Sequence, residues 1–145
     1  MTGDLLSKIE RSALMGRIGA SNTTPEMVVR SVLHRLGYRF RLHKRDLPGT
    51  PDIVLSSRRL VIFVHGCFWH RHQRCCKATV PKSNIAFWQA KFAANIARDS
   101  RVRRELRRLG WTVVVVWECQ TKDRTRLVAR LDATIKTRTQ TTVGR

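Results

Sequence analysis

Residues 61–72, in the middle of the chain, limit what the protein can fold into more than any other segment. Their sequence is VIFVHGCFWHRH, in which four apolar residues are followed, within eight positions, by three histidines, a cysteine, a glycine and two adjacent aromatic residues. The apolar run predicts a buried β-strand. Because this strand carries imidazoles and a thiol to its C-terminal end, we expect a chemical site there rather than an ordinary loop.

The rest of the chain predicts an α/β fold. Apolar periodicity, capping residues and glycine stops divide it into helices and short strands. Their order indicates a mixed β-sheet flanked by helices, in one domain that spans residues 1–145. The predicted helices cover residues 5–18, 25–36, 84–109 and 123–136, and the predicted strands cover residues 38–43, 52–56, 60–65 and 111–117.

Three segments carry further expectations. Residues 1–20 are an arm or helix that would become ordered on a binding partner, and residues 136–145 are a polar tail that we expect to fray. Residues 66–83 predict an irregular segment that holds most of the cysteines. The long helix over residues 84–109 has a predicted core stripe made of Phe87, Trp88, Phe92, Ile96, Val102, Leu106 and Leu109.

Charge indicates the class of partner. The 145 residues include 29 Lys and Arg against 10 Asp and Glu, a formal net charge of +19. So large a positive field on a small chain favours a polyanion, most simply nucleic acid, over a charge that serves solubility or a membrane surface. No apolar stretch approaches the roughly 18 residues of a transmembrane helix, and no signal-peptide core is present, so we expect a soluble, cytoplasmic protein.

Asp52 is conspicuous because it leads into the apolar strand predicted over residues 52–56. A buried carboxylate is unfavourable unless a charge compensates it, which either a divalent cation or an arginine would do. With His65 and His70 in the following strand and loop, the pattern is typical of a phosphodiesterase site. There a cation polarises the phosphate and an imidazole takes a proton from water.

The cysteines favour a second metal site. Thiolate and imidazole are the ligands that tetrahedral zinc prefers, and four free thiols are the alternative. Cys67, His72 and either Cys75 or Cys76 lie within ten residues, and Cys119 follows the strand predicted over residues 111–117. A zinc ion held by all four groups would join distant parts of the chain.

The adjacent aromatic residues Phe68 and Trp69 lie in a glycine-flanked loop between the two predicted sites. Exposed apolar wedges on a basic protein suit insertion between base pairs, although packing within the fold is the alternative. For Trp88, on the long helix, packing is the simpler interpretation.

Four motifs together resemble the very short patch repair (Vsr) DNA mismatch endonucleases, over roughly residues 11–135. They are LPGTPD at 47–52, IFVHGCFWH at 62–70, FW at 87–88 and GWTVVVVWEC at 110–119. The resemblance implies a restriction-endonuclease-like fold that nicks one strand beside a thymine mispaired with guanine, and so starts the repair of deaminated 5-methylcytosine. The Glu-x-Lys half of the usual endonuclease signature is absent, which is consistent with a histidine-assisted variant.

The resemblance also implies residue roles. Asp52 would bind Mg²⁺ together with the backbone carbonyl of Val64, and His70 would be the base. Three further positions, Glu26, His65 and Asp99, would support this site; for Glu26, in the first turn of its helix, complementing the helix dipole is the alternative. The zinc ligands would be Cys67, His72, Cys75 and Cys119. Residues that enter the duplex would be Phe68, Trp69 and Trp88 from one side and Met15 and Ile18 from the other.

The zinc ligands and the function each have an alternative, and the resemblance also indicates several partners. The loop before Cys75 is one residue longer than in the family pattern, so Cys76 is the alternative zinc ligand. The function alternatives are a nicking endonuclease for another mismatch or sequence, and a zinc-stapled DNA-binding module without catalysis. The expected partners are mismatched double-stranded DNA, mismatch-repair proteins and a cytosine methyltransferase, for a monomer that acts on the bacterial nucleoid.

Overall fold

The computed structural model describes the backbone of residues 23–143 and the side chains of residues 23–137. The helix predicted over residues 5–18, with Met15 and Ile18, lies outside the described residues. The described elements are helix α1 (Thr24–Arg35), strands β1 (Arg41–Leu42), β2 (Ile53–Leu55) and β3 (Leu60–His65), helix α2 (Ile85–Arg108), strand β4 (Thr112–Trp117) and helix α3 (Arg124–Val143), with 3-10 turns at Ser56–Arg58 and Glu118–Lys122.

The four strands form one sheet in the order β1-β2-β3-β4. β1 and β3 both run antiparallel to β2, whereas β4 runs parallel to β3, so the sheet is mixed as predicted. In the β3–β4 register Val64 is opposite Val116 and His65 is opposite Trp117. The two strands therefore end at the same edge, which brings the residues after His65 beside those after Trp117.

Side chains alternate between the two faces of the sheet, and each face has its own core. The larger core lies between the sheet and helices α1 and α3, and the smaller one lies between the sheet and α2. The buried residues of the larger core are Val29, Val32, Leu33, Ile53, Leu55, Leu60, Ile62, Val114, Val116, Leu127, Leu131 and Ile135, and those of the smaller are Val54, Val61, Phe63 and Leu106.

The first turn of α1 places an acid inside the protein. The hydroxyl of Thr23 accepts a hydrogen bond from the main-chain N–H of Glu26 (3.3 Å), and Pro25 suits the first turn. The helix ends before Gly37, whose φ of +83° few other residues adopt. Glu26 is only 2% exposed, so it is more than a surface complement to the helix dipole.

Two predicted element lengths were wrong. The strand predicted over residues 38–43 is reduced to β1 (Arg41–Leu42), and the left-handed φ of 46° at His43 ends it on the C-terminal side. The last helix continues to Val143 instead of ending near residue 136. No glycine or proline occurs between residues 124 and 143 to stop it, so the polar composition alone does not end the helix.

The predicted core stripe of α2 was also partly wrong. Phe92 and Leu106 are buried, but Phe87, Ile96 and Leu109 are 42%, 49% and 54% exposed. Its 24 residues make a helix about 36 Å long, whereas the six-residue strands β3 and β4 extend over about 20 Å. The sheet covers only part of the helix, and the rest faces the loop over residues 66–83 or solvent. None of the described helices is both long and apolar enough to cross a membrane.

Candidate active site and cysteine cluster

A cleft of about 1050 Å³, here called the cleft, opens where three parts of the fold meet. The residue before β2 is Asp52, and the end of β3 contributes Val64 and His65. The loop after β3 contributes His70, and one face of α2 contributes Asp99. The structure thus brings together, in one cavity, the side chains of Asp52, His65, His70 and Asp99, which the sequence predicted from separate segments.

Asp52 lies at the base of the cleft, with one carboxylate oxygen held by the main chain. Its Oδ2 accepts a hydrogen bond from the N–H of Val64 (2.8 Å). Burial raises the pKa of Asp52 to about 6; the N–H of Val64 opposes the shift and the nearby carboxylate of Glu26 adds to it. Two carboxylates placed together out of water are unfavourable unless a positive charge lies between or beside them.

Glu26 and His43 complete the group around Asp52. The Nε2 atom of His43 lies 3.1 Å from both Oε1 and Oε2 of Glu26, and Arg30 forms an ion pair with the same carboxylate. Ligand atoms of Glu26, His43 and Asp52 lie within 4.8 Å of one another. This donor set fits a divalent cation, because carboxylate oxygens are the ligands that Mg²⁺ and Mn²⁺ prefer.

His43 was missed by the sequence analysis. It stands 17 positions from Glu26 on a different element, and its main-chain turn is not marked by a glycine. The available signal was its chemistry, since the chain holds only five histidines and this one ends the alternating segment over residues 38–43, shortly before the LPGTPD motif.

His70 and Asp99 form a closely hydrogen-bonded pair on the other wall of the cleft. The Nδ1 atom of His70 lies 2.6 Å from Oδ2 of Asp99. Burial acts to raise the pKa of Asp99, but the hydrogen bond from His70 and the positive charges nearby outweigh it, so this pKa is lower than usual. An ionised carboxylate on Nδ1 fixes the ring and its tautomer and leaves Nε2 to accept a proton.

His65 lies behind this pair and is 6% exposed. Its ring is stacked on that of His70, with centroids 3.9 Å apart and planes within 6°. Burial, together with the charge of His70, lowers the pKa of His65 to about 3, so the ring is neutral near pH 7. Its Nδ1 atom has no hydrogen-bond partner among the described residues.

Cys67, His72, Cys75 and Cys119, here called the cysteine cluster, lie beside the cleft. Nδ1 of His72 is 3.6 Å from Sγ of Cys67 and 3.4 Å from Sγ of Cys119. All four ligand atoms lie within 4.8 Å of one another. Zinc–sulfur and zinc–nitrogen bond lengths predict sulfur–nitrogen edges of roughly 3.6 Å in a tetrahedral site, so these residues fit a zinc ion.

Of the two adjacent cysteines, Cys75 belongs to the cysteine cluster, and Cys76 is exposed and is not part of it. The parallel pairing of β3 with β4 explains how Cys119 reaches Cys67 across 52 positions of sequence, since both follow the ends of neighbouring strands. Burial raises the pKa of the Cys67 thiol to about 12.

The predicted DNA-contacting residues Phe68, Trp69 and Trp88 form one aromatic group beside the cleft. Phe68 lies 5.1 Å from Trp69 and 5.7 Å from Trp88, measured between ring centroids. All three are partly exposed. Arg71 packs against this group: its guanidinium lies 5.6 Å from the ring centroid of Phe68 and 4.1 Å from that of Phe92, and it donates hydrogen bonds to main-chain carbonyls of the loop.

Comparison with known proteins was made by sequence and by structure. Residues 3–77 match the family described as DNA mismatch endonuclease Vsr. The chain is 55% identical to the Type II nicking enzyme V.XorIIP of Xanthomonas oryzae pv. oryzae over 128 residues, which are 88% of this chain and 93% of that protein. It is 41% identical to the DNA mismatch endonuclease Vsr of Escherichia coli K12 over 124 residues, 86% of this chain and 79% of that protein.

Among solved structures, the catalytic domain of the homing endonuclease I-Bth0305I has a similar fold. The TM-score is 0.58 at 19% identity, and the match covers 81% of this chain and 98% of that domain. The predicted restriction-endonuclease-like α/β fold, with a mixed sheet flanked by helices, is therefore confirmed.

Proposed function

This chain belongs to the Vsr family of DNA endonucleases, and we propose that it nicks one strand of a DNA duplex next to a thymine mispaired with guanine. Family membership makes it a phosphodiester hydrolase that acts on DNA, so the alternative of a binding module without catalysis is set aside. The observation that carries the proposal is that the Asp52 carboxylate and the His70–Asp99 pair face one cleft.

His70 is the base in this proposal. The Asp99 carboxylate, 2.6 Å from Nδ1, holds the imidazole in one orientation and stabilises the positive charge that the ring gains when Nε2 takes a proton from water. His65, stacked on the same ring, supports its plane from behind. Glu26, with a ligand atom within 4.8 Å of those of Asp52 and His43, would add a second carboxylate to the cation site.

Asp52 and the backbone carbonyl of Val64 would hold Mg²⁺ in the cleft. When bound, the cation polarises the phosphate and offsets the charge that develops on its oxygens. Asp52 contributes a fixed negative oxygen, and its hydrogen bond from the N–H of Val64 orients that oxygen along the end of β3. The cysteine cluster would hold a structural Zn²⁺ that ties the loop after β3 to the turn after β4.

DNA contacts follow from the aromatic group and the charge. Phe68, Trp69 and Trp88 would enter the stack at the mispair from one side, and Met15 and Ile18, in the arm over residues 1–20, from the other. A net charge of +19 supplies affinity for the phosphates on either side.

The proposal places the protein in the bacterial cytoplasm as a monomeric, single-domain enzyme that acts after deamination of 5-methylcytosine. Mismatch-repair proteins and a cytosine methyltransferase are its proposed partners. A second candidate function is favoured by the name of one relative, since V.XorIIP is described as a Type II nicking enzyme. In that case the preferred sequence around the mispair, or the mispair itself, would differ.

The test is a strand-labelled duplex assay with the zinc-loaded protein. Duplexes that carry T·G, the other mismatches or T·A in several sequence contexts are incubated with Mg²⁺ or without added divalent cation. We expect a single nick beside the thymine of T·G, only with Mg²⁺. Nicking of a different mispair would favour the second function, and cleavage of both strands or of matched DNA would contradict the proposal.

A further inference from the structure

We propose that His43 is a positioning residue of the cation site, which locks the carboxylate of Glu26 in place relative to Asp52. The inference rests on the proposed function, because it concerns how the chain prepares the site for its divalent cation. No role for His43 follows from the sequence motifs.

The contact between His43 and Glu26 is partly buried. Nε2 of His43 lies 3.1 Å from each oxygen of a carboxylate that is 2% exposed. At that distance the ring N–H donates to both oxygens, which fixes the rotation of the carboxylate as well as its position. His43 itself lines the cleft, as Asp52 does.

Arg30 and His43 both donate to the carboxylate of Glu26, and each restrains it relative to a different part of the fold. Arg30 is four residues further along α1, so its ion pair fixes Glu26 only relative to its own helix. His43 belongs to the sheet edge, and its main-chain N–H donates to the carbonyl oxygen of Asp52 (3.1 Å). His43 thereby connects the acid on α1 to the acid that precedes β2.

That connection matters because the two carboxylates repel each other. A cation gains most when its oxygen ligands are already in place, and without a restraint the free carboxylate would turn away from Asp52. Groups that hydrogen-bond to metal-binding carboxylates typically change metal affinity by roughly 10–100-fold when removed. We expect an effect of that size from the loss of the His43 imidazole.

Two substitutions of His43 test whether its hydrogen bond to Glu26, and not the imidazole itself, is what the site requires. In His43→Gln the side-chain amide reaches about as far as Nε2 and donates a hydrogen bond. In His43→Asn the amide is too short to reach Glu26, yet Asn tolerates the left-handed φ of 46° at least as well as His. The matched control is His34→Asn, which makes the same change at an exposed histidine on α1.

The experiment measures Mn²⁺ binding to the zinc-loaded protein without DNA, by the loss of the free-ion electron paramagnetic resonance signal. We expect His43→Asn to bind Mn²⁺ roughly 10–100-fold more weakly than wild type, and His43→Gln and His34→Asn to bind close to wild type. Thermal melts of all four proteins check that they are folded.

Equal Mn²⁺ affinity for wild type and His43→Asn would overturn the inference and leave the proposed function intact. Nitrogen hyperfine coupling to bound Mn²⁺ that His43→Gln abolishes would also overturn it, because His43 would then be a direct ligand. A wild-type protein that binds no Mn²⁺ would remove the cation from the proposed function, and the inference with it.

Discussion

The imidazole of His65 lies flat against that of His70, with ring centroids 3.9 Å apart and planes within 6°. Parallel rings cannot both direct their in-plane nitrogen lone pairs at one metal ion, so this pair is arranged for support and not for chelation. Burial keeps His65 neutral near pH 7, so a protonated His70 can stack on its ring without repulsion between two positive charges.

The first prediction follows from that stack. His65→Phe keeps a flat ring behind His70 and should retain folding and much of the nicking activity. His65→Ala leaves a cavity against His70, and we expect it to melt at a lower temperature and to nick more slowly. Thermal melts and single-turnover nicking rates of both variants are the measurements. Equal rates for Phe and Ala would show that the ring of His65 does not support His70.

The second prediction concerns the base. His70→Ala should lower the single-turnover rate by about 10²–10⁴-fold, the usual contribution of a general base. Asp99→Asn keeps the shape of the side chain but removes the carboxylate charge that faces Nδ1 of His70, so it should slow nicking less than loss of the ring itself. Neither change should weaken binding of T·G duplex appreciably. A larger loss from Asp99→Asn than from His70→Ala would mean that Asp99 acts directly and not through His70.

The sequence alone predicted the side chains that meet at the ends of neighbouring strands. Cys67 and Cys119 follow the ends of apolar strands, and parallel pairing of such strands brings their ends together. His43 could not be found in this way, because its position depends on a left-handed main chain and on a partner in α1.

The same limit applies to α2. Its apolar pattern predicted a continuous core stripe, but whether Ile96 or Leu109 is covered depends on the length of the sheet beneath the helix. Sequence periodicity predicts which face of a helix a side chain lies on, but it does not predict how far the neighbouring sheet extends along that face.

The third prediction is a pH dependence. The pKa of Asp52 rises from 3.8 to about 6 on folding, so the folded state binds this proton more tightly than the unfolded chain. Stability from Asp52 is therefore complete below pH 3.8 and is lost as the pH rises towards 6, by up to about 3 kcal/mol. Without divalent cation, Asp52→Asn should be more stable than wild type above pH 6, and the difference should vanish towards pH 4.

Added Mg²⁺ supplies the control for that experiment. It should stabilise wild type at pH 7 and leave Asp52→Asn unchanged, because the amide lacks the charge that the cation binds. Urea or thermal unfolding at several pH values, with and without Mg²⁺, measures both effects. Parallel pH profiles of the two proteins would show that Asp52 has its ordinary pKa in the folded state.

The fourth prediction concerns the cysteine cluster. The purified protein should carry about one zinc per chain, and Cys119→Ala or His72→Ala should lose the metal and melt at a lower temperature. Cys76→Ala is the matched control, since this thiol is exposed and outside the cluster. Elemental analysis measures the zinc content of each variant, and thermal melts measure its stability. If Cys76→Ala loses zinc and Cys75→Ala keeps it, the ligand assignment is reversed.

The last prediction concerns the aromatic group. Phe68→Ala and Trp69→Ala should weaken binding of a T·G duplex more than of the matched T·A duplex, because a mispair costs less to unstack and so gains more from the wedge. Aromatic stacking is worth roughly 1–3 kcal/mol per base, so each change should weaken mismatch binding about 5- to 150-fold. Met27→Ala, at a 49% exposed apolar residue of α1, is the control and should leave both affinities alone. Equal losses on the two duplexes, with lowered melting temperatures, would mean that Phe68 and Trp69 pack the loop and do not read the mispair.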